Sequence, residues 1–356
     1  MASARHDRPG PPIRDHELVE VFAPARVDLA GGTLDLWPLY CLHPGSVTVN
    51  AALRMGVRVR LTQGGVPDGH IRHVAPGASP LTLTEADAGR HLAAAVGFHF
   101  VPGGGFEVEV TEQPPLGSGL GASSAFAVAM ARGCLALTGR RMAVPRFVAL
   151  LRDLEARVLG VPTGVQDYIP AIKGGVLAIH LEPGGERLER LAVGADWVAR
   201  RLVVVFSGIT HASGMVNWDV YRARIDGSAA VARALDAIAA AASACRDGLL
   251  LKDERYVGGA IAEEWAARRT LAPSVTNPGL DALLAAGARA GAMAGKACGA
   301  GGGGSVIFWA RPDRSAAVAR AALAAAPAGA FEVTGGLIGR GATVRVGRAT
   351  MSQPRA

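Results

Sequence analysis

Residues Pro114–Ala125 read Pro-Pro-Leu-Gly-Ser-Gly-Leu-Gly-Ala-Ser-Ser-Ala and run straight into an apolar stretch that lasts to Leu137. Glycines at 117, 119 and 121 weaken any strand or helix interior, so the chain turns here. The spacing then predicts a helix over Ala122–Leu137. A glycine-rich turn can aim successive backbone N–H groups at one point, and a helix start adds the positive end of its dipole. Together they form a cradle for phosphate. Ser123 and Ser124 fall in the first helical turn, where a hydroxyl either caps the helix or reaches a metal on the phosphates. The plain alternative is an ordinary loop with a serine cap. A dinucleotide site is the other, since Gly117-x-Gly119-x-x-Ala122 is close to that fingerprint. The dinucleotide version needs a strand running directly into the glycines, then an acid on a second strand about 20 residues later. Here Gln113-Pro114-Pro115 separates strand from loop and another helix follows, while the Gly-Lys-Ser/Thr of a Walker A loop is absent.

The rest of the chain supplies the body for such a site. Its 356 residues suggest two domains or one composite unit, and 50% hydrophobic against 19% charged content is enough for a sizeable core. Strands are expected at Leu18–Phe22, Ser46–Asn50, Val57–Thr62, Phe106–Thr111, Val176–His180, Leu202–Phe206, Ser305–Ala310, Phe331–Thr334 and Ala342–Val346. Helices are expected at Val144–Leu159, Ser228–Cys245, Glu254–Leu271 and Gly279–Ala292. Strands with hairpin spacing come first and helices later, which points to an α+β fold. A shift in composition around Glu182–Gly185 places the expected domains at 17–184 and 185–356, after a loose tail over 1–16. That tail has no apolar block behind it, so no secretory signal is expected. The most apolar stretch, Ala234–Cys245, is interrupted by Asp236 and too short for a membrane span.

Charge and cysteine usage narrow the function. The four cysteines, Cys41, Cys134, Cys245 and Cys298, lie far apart and make no CxxC pair, which speaks against a disulfide framework or thiolate metal site and fits a reducing cytoplasm. The formal charge of +7 comes mostly from single arginines scattered along the chain rather than a patch with interleaved aromatics. Nucleic acid and membrane are therefore not expected partners, and a phosphorylated small molecule is the simpler anion.

Two further glycine-rich segments accompany the first. Ala23–Trp37 reads Ala-Pro-Ala-Arg-Val-Asp-Leu-Ala-Gly-Gly-Thr-Leu-Asp-Leu-Trp, a glycine turn flanked by Arg26 and Asp35. A guanidinium fork can steady phosphoryl charge, and a carboxylate can accept sugar hydroxyls. Lys296–Phe308 reads Lys-Ala-Cys-Gly-Ala-Gly-Gly-Gly-Gly-Ser-Val-Ile-Phe, read here as a helix running out through glycines into a buried strand. Each of these alone is equally a structural turn.

In this order the three segments resemble the GHMP kinase superfamily, which includes galactokinase, homoserine kinase, mevalonate kinase and phosphomevalonate kinase. Pro114–Ala125 is similar to the family's phosphate loop, P-x-x-x-G-L-G-S-S-A, with Ala122 inserted as in the sugar-kinase branch. Lys296–Phe308 is similar to the C-terminal G-A-G-G-G motif that packs on the phosphate loop and the substrate. Ala23–Trp37 resembles the galactokinase motif A-P-G-R-V-N-L-x-G-E-H-T-D-Y, but Gly32 and Thr33 stand where galactokinase has Glu-His. The Gly-Gly-Thr-x-Asp wording lies nearer to D-glycero-D-manno-heptose 7-phosphate kinases and bacterial fucokinase-like proteins.

The resemblance implies a two-domain fold: a ribosomal S5 domain 2-like N-terminal domain and a ferredoxin-like α/β-sandwich C-terminal domain. It implies ATP held by Pro115, Gly117, Ser118, Gly119, Leu120, Gly121, Ala122, Ser123 and Ser124, with Mg²⁺ on Ser124 and Glu155. Asp167, twelve residues after Glu155 in a Gly160-x-x-x-Gly164-x-Gln166-Asp167 context, falls on the residue facing the acceptor hydroxyl, and Arg26 on the basic catalytic position. Independently of family, two carboxylates in different surroundings suit a metal ligand and a proton acceptor. The bland reading of Glu155 is a solvated helix face beside Arg152 or Arg157. Asp35, Thr33, Gly164, Gln166, Gly301 and Gly302 are the implied acceptor side. His211, Ser213, Asn217 and Trp218, after the strand Leu202–Phe206, are candidates for the same side, as are Trp37, Tyr40 and His43.

The expected function is transfer of the ATP γ-phosphoryl to a sugar or sugar-phosphate hydroxyl, with the anomeric hydroxyl as target, by a cytoplasmic monomer or homodimer. A mevalonate-type kinase and a catalytically silent sugar- or nucleotide-binding regulator are the alternatives.

Overall fold

The computed structural model describes residues 17–210, 213–333, 335–337 and 339–348; the expected tail over 1–16 and His211 lie outside them. Among the described residues twelve strands are β1 (Glu17–Ala30), β2 (Val47–Asp68), β3 (Ile71–Val74), β4 (Leu81–Leu83), β5 (Gly104–Glu112), β6 (Val176–Glu182), β7 (Gly185–Arg190), β8 (Leu202–Phe206), β9 (Ala292–Ala297), β10 (Ser305–Ala310), β11 (Phe331–Glu332) and β12 (Thr343–Arg348). The helices are α1 (Leu39–Leu42), α2 (Leu92–Phe100), α3 (Ala122–Leu137), α4 (Val144–Leu159), α5 (Tyr168–Lys173), α6 (Ala195–Ala199), α7 (Ser213–Ile225), α8 (Ala229–Leu251), α9 (Glu254–Arg268), α10 (Pro278–Arg289) and α11 (Ser315–Ala325).

Eight strands form the first sheet, ordered β12-β1-β2-β5-β3-β4 with β6 on β2 and β7 on β6. Its patterning is that of a half-covered sheet. Phe106, Val108 and Val110 of β5 are buried under the helices, while Glu107 and Glu109 alternate outward. The outer face carries cross-strand ion pairs such as Arg60 with Glu20 at 3.2 Å and Arg72 with Glu107 at 2.6 Å. β2 is one strand of 22 residues where two short strands were expected. Its first part pairs with β6 and its second with β5, and the register on β1 shifts between Pro24 and Arg26. Gly56 sits opposite that bulge, where a Cβ would lie 2.3 Å from the Ala23 carbonyl, so only glycine lets the two strands close up.

The second sheet is antiparallel, ordered β11-β8-β10-β9. All six residues of β10 are buried, which matches its unbroken apolar run. Lys296–Phe308 is a β-hairpin arm rather than a helix end: α10 stops at Arg289, and β9 pairs with β10 from Ala297↔Val306 onward. Small residues in Ala292–Ala297 hid the strand, because alanine and glycine carry little β signal.

The two sheets do not divide at 184/185. Pro183-Gly184 closes a tight β6–β7 hairpin, with Glu182 facing Gly185, and β12 returns from the chain's end to pair with β1. A composition shift marks a turn as readily as a linker, and only pairing separates them. A shared core joins the halves: Val27, Leu29 and Val49 of the first sheet pack with Cys245, Ile261 and Trp309 of the second half. Ala234–Cys245 lies within α8, and among the described residues no single helix is long and apolar enough to cross a membrane.

Candidate active site

The glycine loop ahead of α3 is built by three left-handed glycines. Gly117, Gly119 and Gly121 have φ of 68°, 70° and 72°. Between them Leu120 is fully buried and anchors the loop, and its carbonyl accepts the Arg26 backbone N–H at 3.0 Å. The hairpin arm braces the loop from behind: Ser305 N–H donates to the Ser118 carbonyl at 2.7 Å, and Gly119 lies against the Cys298 carbonyl. Gly121 caps α3, so the free N–H groups of the first helical turn open beside it.

Asp167 stands directly across this loop. It sits just ahead of α5 with its side chain partly open to solvent, and a Cβ on Gly121 would lie 3.3 Å from its Oδ2. Arg26, on β1, joins the two parts: Nε donates to Asp167 Oδ1 at 2.8 Å, and Nη1 donates to the Gly119 carbonyl at 2.6 Å. Burial disfavours the guanidinium charge, but the carboxylates of Asp167 and Asp28 outweigh it and raise the Arg26 pKa.

Ser123, Ser124 and Glu155 are brought together by the packing of α3 on α4. The Glu155 carboxylate accepts Ser123 Oγ at 2.5 Å and Ser124 Oγ at 2.9 Å, and a third hydroxyl, from Tyr168, also donates to it. Glu155 is buried, not on a solvated face, and burial raises its pKa against the pull of those three hydroxyls.

On the other side of Asp167 lies the turn after β1. Asp35 is buried and its Oδ2 accepts the Gln166 backbone N–H at 2.9 Å. Burial pushes its pKa up to about 6, and the charge of Asp167 adds to the shift. Gly164 makes room for it, since a Cβ there would fall 1.8 Å from Asp35 Oδ2. Thr33 Oγ1 donates to Asn217 Oδ1 at 3.0 Å and accepts from Arg268 Nη1 at 3.1 Å.

Beneath that turn is a buried ionic cluster. Lys296 Nζ reaches Asp28 at 2.7 Å and Glu264 at 3.1 Å, and Glu264 accepts from Arg268 Nη2 at 2.6 Å. Burial raises the Asp28 pKa, but Lys296, Arg26 and Arg268 together outweigh burial and lower it. Neither this cluster nor Tyr168 stood out in the sequence. Asp28 lies two residues from Arg26 and so on the same strand face, and Glu264 and Arg268 are spaced for one helix face. The same spacings mark ordinary solvated pairs, so only burial distinguishes them.

Other candidates go elsewhere. Gly301 and Gly302 meet Val275, with Gly302 N–H donating to its carbonyl at 2.7 Å, while Cys298, Gly299, Gly304 and Ser305 of the same segment make the contacts on the glycine loop. Trp37 is exposed and Tyr40 is part of the core. His43 is held between Asp236 at 2.6 Å and Arg224 Nε at 2.9 Å. Trp218 stacks on Tyr221 with ring centroids 5.5 Å apart. Ser213 begins α7.

The glycine loop at the start of α3, the hydroxyls gathered on Glu155 and the arginine that ties Asp167 to the loop thus meet in one place. The GHMP kinases N terminal domain family model matches residues 86–175 and the GHMP kinases C terminal model matches residues 232–328, together more than half of the chain. The chain belongs to the GHMP kinase family, whose members use ATP as phosphate donor.

It is 26% identical over 320 residues to a bifunctional fucokinase/GDP-fucose pyrophosphorylase from Arabidopsis thaliana, covering 83% of this chain but only 30% of that protein. It is 22% identical over 313 residues to D-glycero-alpha-D-manno-heptose 7-phosphate kinase from Campylobacter jejuni, covering 84% of this chain and 91% of that one. Among solved structures, Lactococcus lactis galactokinase complexed with galactose superposes with a TM-score of 0.76 at 17% identity, over 92% of this chain and 95% of that one.

Proposed function

We propose that this chain transfers the γ-phosphoryl of ATP to a hydroxyl of a sugar or sugar phosphate, a hexose or a heptose 7-phosphate, with the anomeric hydroxyl as target. The observation that carries the reading is the approach of Gly121 to Asp167, with Arg26 bonded to both the loop and the aspartate. An acceptor hydroxyl at Asp167 then faces phosphate held by the amides at 117–124.

In this mechanism the loop amides take the β- and γ-phosphates. The oxygen donors of Ser124 and Glu155 suit Mg²⁺, a hard cation that usually takes one or two carboxylates plus phosphate oxygens. When bound there, Mg²⁺ neutralises charge on the phosphates. Arg26 steadies the phosphoryl group in flight, and Asp167 orients the acceptor hydroxyl and takes its proton. Phosphoryl transfer asks mainly for positioning and electrostatics, which this arrangement provides. Asp35, a buried carboxylate beside Asp167, accepts hydroxyl hydrogen bonds and favours a polyhydroxylated acceptor over a mevalonate-type one.

An ATP-consumption assay over galactose, fucose, mannose, heptose 7-phosphate and mevalonate tests the reading. Turnover confined to one or more sugars supports it. Turnover with mevalonate alone, or ATP binding without turnover on any acceptor, refutes it, the latter in favour of the silent regulator.

A further inference from the structure

Thr33 has φ of 77°, and a β-branched residue in the left-handed region is an outlier that its surroundings must hold in place. The holder comes from the second half of the chain. Arg268, at the end of α9 and fully buried, donates from Nη1 to Thr33 Oγ1 at 3.1 Å and from Nη2 to the Gly32 carbonyl at 2.8 Å. Its other edge is fixed on Glu264 Oε1 by Nε at 2.9 Å and Nη2 at 2.6 Å. Thr33's single donor is spent on Asn217 of α7. The hydroxyl expected to meet the acceptor is therefore engaged by two protein groups.

We infer that Arg268 is a positioning residue: its planar fork, clamped by Glu264, latches Thr33 and thereby fixes Asp35 two residues on. The turn lies directly on this support, since a Cβ on Gly32 would come 3.1 Å from Asp28 Oδ2 and from Gln166 Nε2. Gln166 is the residue whose backbone N–H holds Asp35, so the two supports of the carboxylate converge. The same cluster also reaches the arm behind the phosphate loop, because Asp28 Oδ1 accepts the Gly299 N–H at 2.8 Å. Two acids and two bases with side chains no more than 1% exposed balance in charge, yet an apolar set of equal volume is often at least as stable. Directional grip on the turn is what the apolar set would lack. A lysine at 268 keeps the charge but cannot hold the carboxylate and the turn in one plane.

The inference rests on Asp35 facing the acceptor, and its test separates the two ideas. Hydrogen exchange at residues 31–36 is measured on the substrate-free chain for Arg268→Lys, Thr33→Val and Thr33→Ser. MgATP affinity is measured by calorimetry, and KM and kcat with the best sugar of the panel above. In Arg268→Lys and Thr33→Val, exchange at 31–36 rises about tenfold with β8 and β10 unchanged, and acceptor KM rises about tenfold, equivalent to about 1.4 kcal/mol. MgATP affinity stays within about twofold, and Thr33→Ser recovers most of the loss seen in Thr33→Val. Unchanged exchange at 31–36, or loosening spread evenly over the second half, overturns the latch. A loosened turn with unchanged acceptor KM supports the latch and refutes the placement of the acceptor at Asp35.

Discussion

Asp35 offers the sharpest test of the site, through Asp35→Asn. Burial lifts its pKa from the ordinary 3.8 to about 6. A shift of about two units corresponds to about 3 kcal/mol between the protonated and ionised forms. The sign follows from proton counting. Between about pH 4 and 6 the folded chain keeps a proton that the unfolded chain has released, so stability falls as pH rises through this window. Above about pH 6 the full penalty is present. Asparagine is neutral at every pH, so any constant effect of its amide cancels when the two proteins are compared across pH. Urea unfolding at pH 4.5 and pH 8 should show the variant gaining about 2 kcal/mol on the parent over that interval. Parallel stability–pH curves would refute the reasoning, because they would mean that Asp35 ionises as easily in the fold as in water. On the proposed function, hydroxyl donors from an acceptor stabilise the carboxylate, and acceptor KM should rise as pH falls below about 6 in the parent.

Three further outcomes are expected. Asp167→Asn keeps ATP affinity by calorimetry but lowers kcat by about 10²–10⁴-fold, the usual range for a lost proton acceptor. Gly121→Ala puts a Cβ at φ 72° and 3.2 Å from Asp167 Cγ, so melting should report a loss of about 1–2 kcal/mol and steady-state assays a reduced kcat. Lys296→Met leaves Asp28 and Glu264 facing each other without their shared cation, and denaturation should register about 3–5 kcal/mol of destabilisation.

Some of this was legible in the linear sequence because the signal is local. Gly117, Gly119 and Gly121 before an apolar helix dictate a turn with open amides, whatever surrounds it. Strands such as Leu202–Phe206 and Ser305–Ala310 declare themselves by unbroken β-branched and aromatic runs. β9 did not, since Ala-Met-Ala-Gly-Lys-Ala has no strand signature and pairs only because β10 lies beside it. The single β2 read as two strands because the register shift on β1 beside Gly56 interrupts the pattern within one continuous strand.

By itself, then, the sequence determined the glycine turn ahead of α3 and the α+β character, whereas Glu155 joined Ser124 only through the family resemblance, as a shared Mg²⁺ site. Tertiary structure decided which charges matter. Asp28, Glu264, Arg268 and Lys296 lie up to 268 residues apart, and each resembles an ordinary surface charge until the two sheets close over them. The physical reason is that local sequence sets backbone preference, whereas the strength of a charge interaction depends on how much water is removed around it, which only the packed fold determines.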